Sequence, residues 1–209
     1  MQEQFNWVTA HRLRHPDRYI VYIDETSLNL WSCLKKSTWT DNRNVTMPLQ
    51  PTAGKSKTII GAIGAFLYNR PYRFCFIFDI IDKTNGETVK GFLQLLLNQL
   101  PVHTGQITLY LDQSSVHQCN KIKDFGDEYG LELILTPRYS CALNPIEHVW
   151  ALIKRRWATR MAATSHNVKD ENMKANIAAV CDEVGRSLTK EIMHASDKYH
   201  ERVLKKQLV

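Results

Sequence analysis

The sequence lacks the signatures of a zinc, thiol-redox or membrane protein. Its five cysteines, Cys33, Cys75, Cys119, Cys141 and Cys181, are odd in number and widely spaced, and no two form a C-x-x-C pair. That excludes the common zinc and disulfide-exchange motifs and leaves reduced, mostly packing cysteines as the reading. The eight histidines include no H-E-x-x-H, which removes the helix-borne zinc protease pattern. Long apolar runs are also missing: Thr58 to Tyr68 and Phe92 to Leu100 are the longest, well short of the roughly 20 residues that span a bilayer. No membrane helix is expected. The first twenty residues scatter Glu3, Arg12, Arg14, Asp17 and Arg18 through any apolar stretch, unlike a secretory signal, so the chain is expected not to be secreted. There is no internal repeat and no low-complexity segment.

What is present is the composition of an ordinary folded domain. Hydrophobic residues make up 44% and charged residues 23% of 209 residues, which excludes wholesale disorder. A chain of this length fits one domain with appendages and buries about 70% of its unfolded surface. The net charge of +6 is unevenly placed. From Trp150 to the C-terminus twelve Lys and Arg face seven Asp and Glu, whereas residues 1 to 149 hold fifteen against fourteen. A basic tail suits a polyanionic partner, because neutralised phosphates release counterions. A solvated basic helix accounts for it equally well.

Along the chain, Tyr19 to Ile23 reads as a buried strand ending in Asp24-Glu25-Thr26, with its β-branched and aromatic residues as the signal. Leu28 to Trp31 continues the ribbon, and Ser37 to Thr40 forms a short partner strand. Asp41 to Lys57 is a long loop of the kind that often binds ligands. Thr58 to Tyr68 and Tyr72 to Ile81 are two strands joined by a turn at Asn69-Arg70-Pro71. The string TNGE, Thr84 to Glu87, opens a helix to about Leu100 whose apolar positions fall at helical spacing. Gln106 to Asp112 alternates as a strand, with Asp112 on the face opposite Ile107, Leu109 and Leu111. A helix from Asn120 to Tyr129 ends at Gly130, and Leu131 to Leu135 is a further strand. After Pro145 two helical stripes follow, one through Ile146, Val149, Trp150, Ile153 and Trp157 and one from Lys174 to Leu188. This order predicts an α/β fold: an antiparallel meander, then βαβ units, in one mixed sheet flanked by helices, with a helical C-terminal tail.

Three carboxylates stand out: Asp24 and Asp112 at strand ends, and Glu147 inside LNPIEHVW, with 34 residues between the last two. That interval holds one helix and one strand, enough to return the chain to the same sheet edge. A two-metal phosphoryl-transfer site needs a few hard oxygen ligands on rigid elements to hold ions about 3.5 to 4 Å apart. Each carboxylate also has a plainer reading. Strand-end aspartates bond turn amides, and Asn144-Pro145-Ile146-Glu147 reads as N-cap, N1, N2 and N3, with Glu147 where a capping box places it. Glu25 rivals Asp24, but alternation lets only one of the two join a site. His117 either orients a ligand or bonds the backbone near a helix start; His148 reads as a helix-surface residue.

The strings YIDETS, LYLDQSSVH and LTPRYSCALNPIEHVWALIKRRW resemble the three signature blocks of the mariner-type DDE transposases and related bacterial insertion-sequence transposases, in order and at family spacing. The resemblance covers roughly residues 19 to 160. It implies a ribonuclease H-like fold in which Asp24, Asp112 and Glu147 bind two Mg2+ (or Mn2+) ions. The implied activity is phosphodiester hydrolysis and strand transfer at transposon ends. Residues 1 to 18 are then an N-terminal extension, 19 to 160 the catalytic domain and 161 to 209 a helical basic tail. Gln113 stands where the family usually has Asn, and Cys141-Ala142 where it usually has Pro and an acidic or apolar residue. Gln113, His117 and Asn144 are expected to stand behind the triad and support it.

The implied partner is double-stranded DNA, both transposon ends and target. Lys154, Arg155, Arg156 and Arg160, which follow Glu147 on one helix, and Arg138 are candidates for gripping its backbone. Trp39 with Lys35, Lys36, Lys55 and Lys57 forms a second candidate surface; packing and solvation are their plainer roles. A homodimer is one expectation. Because 23 residues precede Asp24, a separate DNA-reading subunit or a lost N-terminal helix-turn-helix domain is another. The expected compartment is the nucleus in a eukaryote and the cytoplasm or nucleoid in a bacterium. Two other readings remain: a transposase-derived DNA-binding protein without activity, and a ribonuclease H-like nuclease acting on RNA–DNA hybrids or junctions.

Overall fold

A computed structural model describes residues 19–29, 56–65, 75–100, 106–138, 140–163 and 170–188. Outside them lie the expected Ser37 to Thr40 strand, most of the expected Asp41 to Lys57 loop, the expected Asn69-Arg70-Pro71 turn, and Lys35, Lys36, Trp39 and Lys55.

Five strands form one sheet: β1 (Tyr19–Leu28), β2 (Lys57–Ala65), β3 (Cys75–Ile81), β4 (Ile107–Leu111) and β5 (Glu132–Leu135), in the order β3-β2-β1-β4-β5. β1 pairs antiparallel with β2, and β2 with β3, whereas β1, β4 and β5 run parallel. The central strand is therefore the seam between the predicted meander and the predicted βαβ units. One boundary differs from expectation. β1 does not end at Asp24 but continues through Asp24-Glu25-Thr26 to Leu28, because β2 pairs with it from Ile20↔Ala65 to Leu28↔Lys57. Only the other side of the strand opens there, since the parallel ladder with β4 stops at Tyr22↔Tyr110. Those two rings stack with centroids 5.1 Å apart.

Helices α1 (Gly86–Gln99) and α2 (Asn120–Tyr129) cover one face, α3 (Ile146–Ala163) and α4 (Asp170–Ser187) the other. Local chemistry sets the helix ends. The Asn85 side chain accepts from the Glu87 and Thr88 amides at 2.9 and 3.0 Å, and Thr88 Oγ1 accepts from the Asn85 amide at 3.0 Å, a reciprocal cap of about 1 kcal/mol. Gly130 ends α2 at φ 64, where any side chain is strained.

Covered on both sides, β4 is buried along its whole length. Its alternation sorts residues between two cores: Ile107, Leu109 and Leu111 pack with Phe92, Leu96 and Phe125, while Tyr110 packs with Trp150, Trp157 and Ile177. Each fully buried aliphatic or aromatic side chain contributes on the order of 1.5–3 kcal/mol. Cys181 lies within the second core, where burial pushes its thiol up to about 12, as a packing cysteine requires. Cys141, by contrast, is exposed. No helix among the described residues is long and apolar enough to cross a membrane.

Candidate active site

Strand parity decides where the acidic side chains point. Val21 and Ile23 belong to the α1/α2 core and Tyr22 to the α3/α4 core, so Asp24 faces α3 and Glu25 faces away. Asp24 and Asp112 each stand two residues beyond the stacked Tyr22–Tyr110 pair, where β1 and β4 part. Asp24 Oδ1 accepts from the Glu25 amide at 2.8 Å, and Oδ2 accepts from Trp150 Nε1–H at 3.3 Å.

Trp150 reaches that oxygen because Gly61 is the residue paired with Asp24 on β2. A Cβ at Gly61 would lie 2.6 Å from Trp150 Cη2. The missing side chain lets the indole lie across the strand and brings the start of α3, with Glu147 one turn earlier, over Asp24. The indole is 1% exposed and has no room to swing aside. Gly61→Ala is therefore expected to destabilise the fold by about 1–3 kcal/mol, the usual cost of overpacking. A urea denaturation midpoint equal to that of the wild type would show that the close approach is not tight.

Asp112 follows the last residue of β4. Its Oδ1 accepts from the Ser114 amide at 3.0 Å and bonds His117 Nδ1 at 2.7 Å, while His117 Nε2 bonds Glu25 Oε1 at 3.0 Å. His117 lies in the turn before α2, and its ring bonds two carboxylates, Asp112 and Glu25, and not the backbone as in its plainer reading. Glu25 points away from Asp24, as alternation requires, and there it meets His117.

The structure also separates the two readings of Glu147. Asn144 Oδ1 caps α3 by accepting from the Ile146 amide at 3.3 Å. The Asn144 amide, which a capping box would give to Glu147, is donated to Cys141 O at 2.9 Å and closes the short 3₁₀ turn Cys141–Leu143. The Glu147 carboxylate has no hydrogen bond among the described residues. It lines a cleft of about 430 Å3 together with Asp24 and Asp112. Arg138, Cys141 and Asn144 line it too, and Arg138 Nε donates to Gln113 Oε1 at 3.2 Å.

Burial pushes the Asp24 carboxyl up to about 7 against the pull of the Glu25 amide, and the charges of Glu147, Glu25 and Asp112 add to the rise. The His117 bond, foremost, holds Asp112 down at about 2 despite its partial burial. Burial opposes the imidazolium of His117, but its bonds to Asp112 and Glu25 and their charges raise it to about 10. The signs follow from linkage. Raised from 3.8, Asp24 contributes stability that is full below that value and lost as pH climbs through about 7. Asp112, lowered from 3.8, contributes above 3.8 and loses it as pH falls through about 2. His117, raised from 6.5, contributes below 6.5 and loses it as pH climbs through about 10. Of the three, only Asp24 changes the balance from about pH 4.5 to about pH 6.5. In chelator the melting temperature is expected to fall across that interval, and Asp24→Asn to flatten the fall; equal slopes for the two proteins would contradict the assignment.

The donor set suits hard divalent cations: three carboxylates, no sulfur, gathered where an extra negative charge is disfavoured until a proton or cation offsets it. As the side chains stand, no group of three His, Cys, Asp or Glu among the described residues is drawn closely enough together to hold a metal ion. Both Asp24 oxygens and Oδ1 of Asp112 accept N–H groups, whereas the Glu147 carboxylate has no hydrogen bond among the described residues. The residues thus fit magnesium or manganese by donor type and by shared cleft, not by closed coordination.

The basic candidates are dispersed. Lys154, Arg155 and Arg160 are exposed on α3, as is His148. Arg156 pairs with Glu183 of α4, and Lys57 Nζ with Asp82 at 2.8 Å.

Residues 19–169 match the family model described as DDE superfamily endonuclease. No curated protein sequence matches the chain. Among solved structures it is similar to the Mos1 mariner paired end complex with Mn, at 15% identity and TM-score 0.66, over 97% of this chain and 60% of that one. It is similar to the Mos1 strand transfer complex at 15% and 0.64, over 97% and 59%, and to the catalytic domain of Mos1 mariner transposase at 13% and 0.59, over 97% and 87%. The chain spans about 60% of the length of the transposase chains in those complexes. At these identities the likeness shows the fold, and the ribonuclease H-like expectation holds.

Proposed function

The chain belongs to the DDE superfamily endonucleases, and from that premise we propose that it is the catalytic domain of a DNA transposase, cutting phosphodiester bonds at element ends and joining the freed 3′-hydroxyl to target DNA. The observation that carries this reading is that carboxylates from β1, β4 and α3, far apart in sequence, line one cleft.

Asp24, Asp112 and Glu147 would hold two magnesium or manganese ions. Bound there, the ions supply positive charge that stabilises the attacking and leaving oxygens of an in-line displacement at phosphorus. The chain's own groups do the positioning. Trp150 fixes Asp24, His117 fixes Asp112, and Asn144 fixes the first turn from which Glu147 projects. Arg138, which lines the cleft and bonds Gln113, would meet a DNA phosphate, and the exposed Lys154 and Arg155 would extend a positive surface along α3. Double-stranded DNA is the proposed partner, and a second copy of the chain is part of the proposed assembly.

Plasmid DNA with Mg2+ or Mn2+ tests the reading. Wild type is expected to convert supercoiled plasmid to nicked and linear forms, and Asp24→Ala to leave it intact. Nicking at equal rates by both would overturn the assignment. One observation favours a second reading, a transposase-derived DNA-binding protein without activity: the carboxylates share a cleft but do not converge as they stand. Retention of DNA on the protein with no divalent-dependent cutting selects that alternative.

A further inference from the structure

β1 and β4 form a fork. They are laddered as far as Tyr22↔Tyr110, after which β1 runs on beside β2 alone and β4 turns away at Asp112. No ladder pairing between β1 and β4 then reaches Asp24 and Asp112. The gap is bridged by one ring. His117 is wholly buried and bonds Glu25 through Nε2 at 3.0 Å and Asp112 through Nδ1 at 2.7 Å. Its own amide donates to Ser114 Oγ at 3.3 Å, and Ser114 in turn donates its amide to Asp112 Oδ1 at 3.0 Å.

We infer that Glu25 is a positioning residue of the cation site: by holding His117 against Asp112 it fixes which oxygen of Asp112 faces the cleft and how far Asp112 stands from Asp24. The inference rests on the transposase reading above and adds to it a residue on the opposite face of the sheet. The physical case has three parts. With a carboxylate oxygen at each ring nitrogen, rotating the imidazole breaks both bonds at once, and no water reaches the buried ring to replace them. Oδ1 of Asp112 already accepts two bonds, so the carboxylate cannot turn without breaking both. Glu25 is also the chain neighbour of Asp24, so a continuous path through Glu25 and His117 ties the two aspartates together where the ladder no longer does. A buried ionic bridge adds little net stability over a well-packed apolar residue. Its advantage at this fork is direction, which hydrocarbon does not supply.

Two variants of matched length separate direction from packing. Glu25→Met fills the space and offers His117 no oxygen; Glu25→Gln keeps an oxygen at the same reach. Each is titrated with Mn2+ while melting temperature is followed, and plasmid nicking is measured over the same concentrations. For Glu25→Met the Mn2+ midpoint is expected to rise about 10- to 100-fold in both assays, the usual loss when the partner behind a ligand is removed, with nicking restored at saturating Mn2+. Glu25→Gln is expected to keep most of the affinity. In proton NMR, two slowly exchanging imidazole N–H signals are expected in wild type and Glu25→Gln, and only one in Glu25→Met. An unshifted midpoint in Glu25→Met overturns the positioning role, as do equal shifts in the two variants. Both results leave the transposase reading standing if wild type responds to Mn2+ and cuts. Wild type that neither gains stability from Mn2+ nor cuts DNA overturns the functional reading, and the positioning role with it.

Discussion

Replacing Asp112 with asparagine is expected to lower divalent-dependent nicking by about 10³-fold, in line with the loss of one preorganised electrostatic group at a reacting centre. The variant isolates chemistry from folding. Asn keeps an oxygen that can accept from the Ser114 amide and from His117 Nδ1–H, the two bonds that Oδ1 makes now. What changes is the other atom: Oδ2 becomes an NH2 group, which carries no lone pair for a cation and no charge to attract one. The melting temperature in chelator should fall only modestly, because Asp112 is half exposed and solvent screens its pairing with His117, while its rise on adding Mg2+ shrinks. Supercoiled-plasmid conversion at several Mg2+ concentrations reads the effect. A loss smaller than about tenfold, against the 10²–10³ expected of such a group, rules Asp112 out as a ligand.

The second large effect concerns stability. His117→Ala should cost about 3–5 kcal/mol, the penalty for breaking a buried charged pair by removing one partner. The size follows from the surroundings. The His117 side chain is fully buried and that of Glu25 only 15% exposed, so Glu25 is left with little water to replace its lost partner. Asp112, half exposed, contributes the smaller share, because solvent screens it. Against a typical total of 5–15 kcal/mol such a loss brings the chain near its unfolding threshold. Urea denaturation monitored by tryptophan fluorescence measures it. A cost under about 1 kcal/mol means that water or a shifted side chain takes the place of the ring.

Features that depend on local chemistry were legible in the sequence. The string TNGE and Gly130 marked helix ends because caps and left-handed turns are decided within a few residues, and the alternation of β4 sorted its side chains between the two cores. The three carboxylates were legible as strings in order, and the cleft brings them together. What escaped reading was tertiary. Asp24-Glu25-Thr26 looks like the end of a strand, yet β2, more than thirty residues later in the chain, pairs straight through it. The Glu25 contact with His117 spans 92 residues, and the alternation rule, correct for the strand, argued against it because it is silent about what approaches from the other face. Gly61 gave no hint that it makes room for Trp150, since a glycine's purpose lies in the neighbour it admits. Arg156 read as one of a basic row, but Glu183 on the next helix engages it.

The central strand has one consequence for how this protein comes into being. Its antiparallel partner β2, with β3 beyond it, comes from the same early stretch of chain, so a nascent or refolding polypeptide can complete that antiparallel set quickly, whereas docking its other partner β4 closes a much longer loop and is slower. Asp24 is thus in place before Asp112 or Glu147 arrives. In a refolding experiment strand signal should recover ahead of cutting.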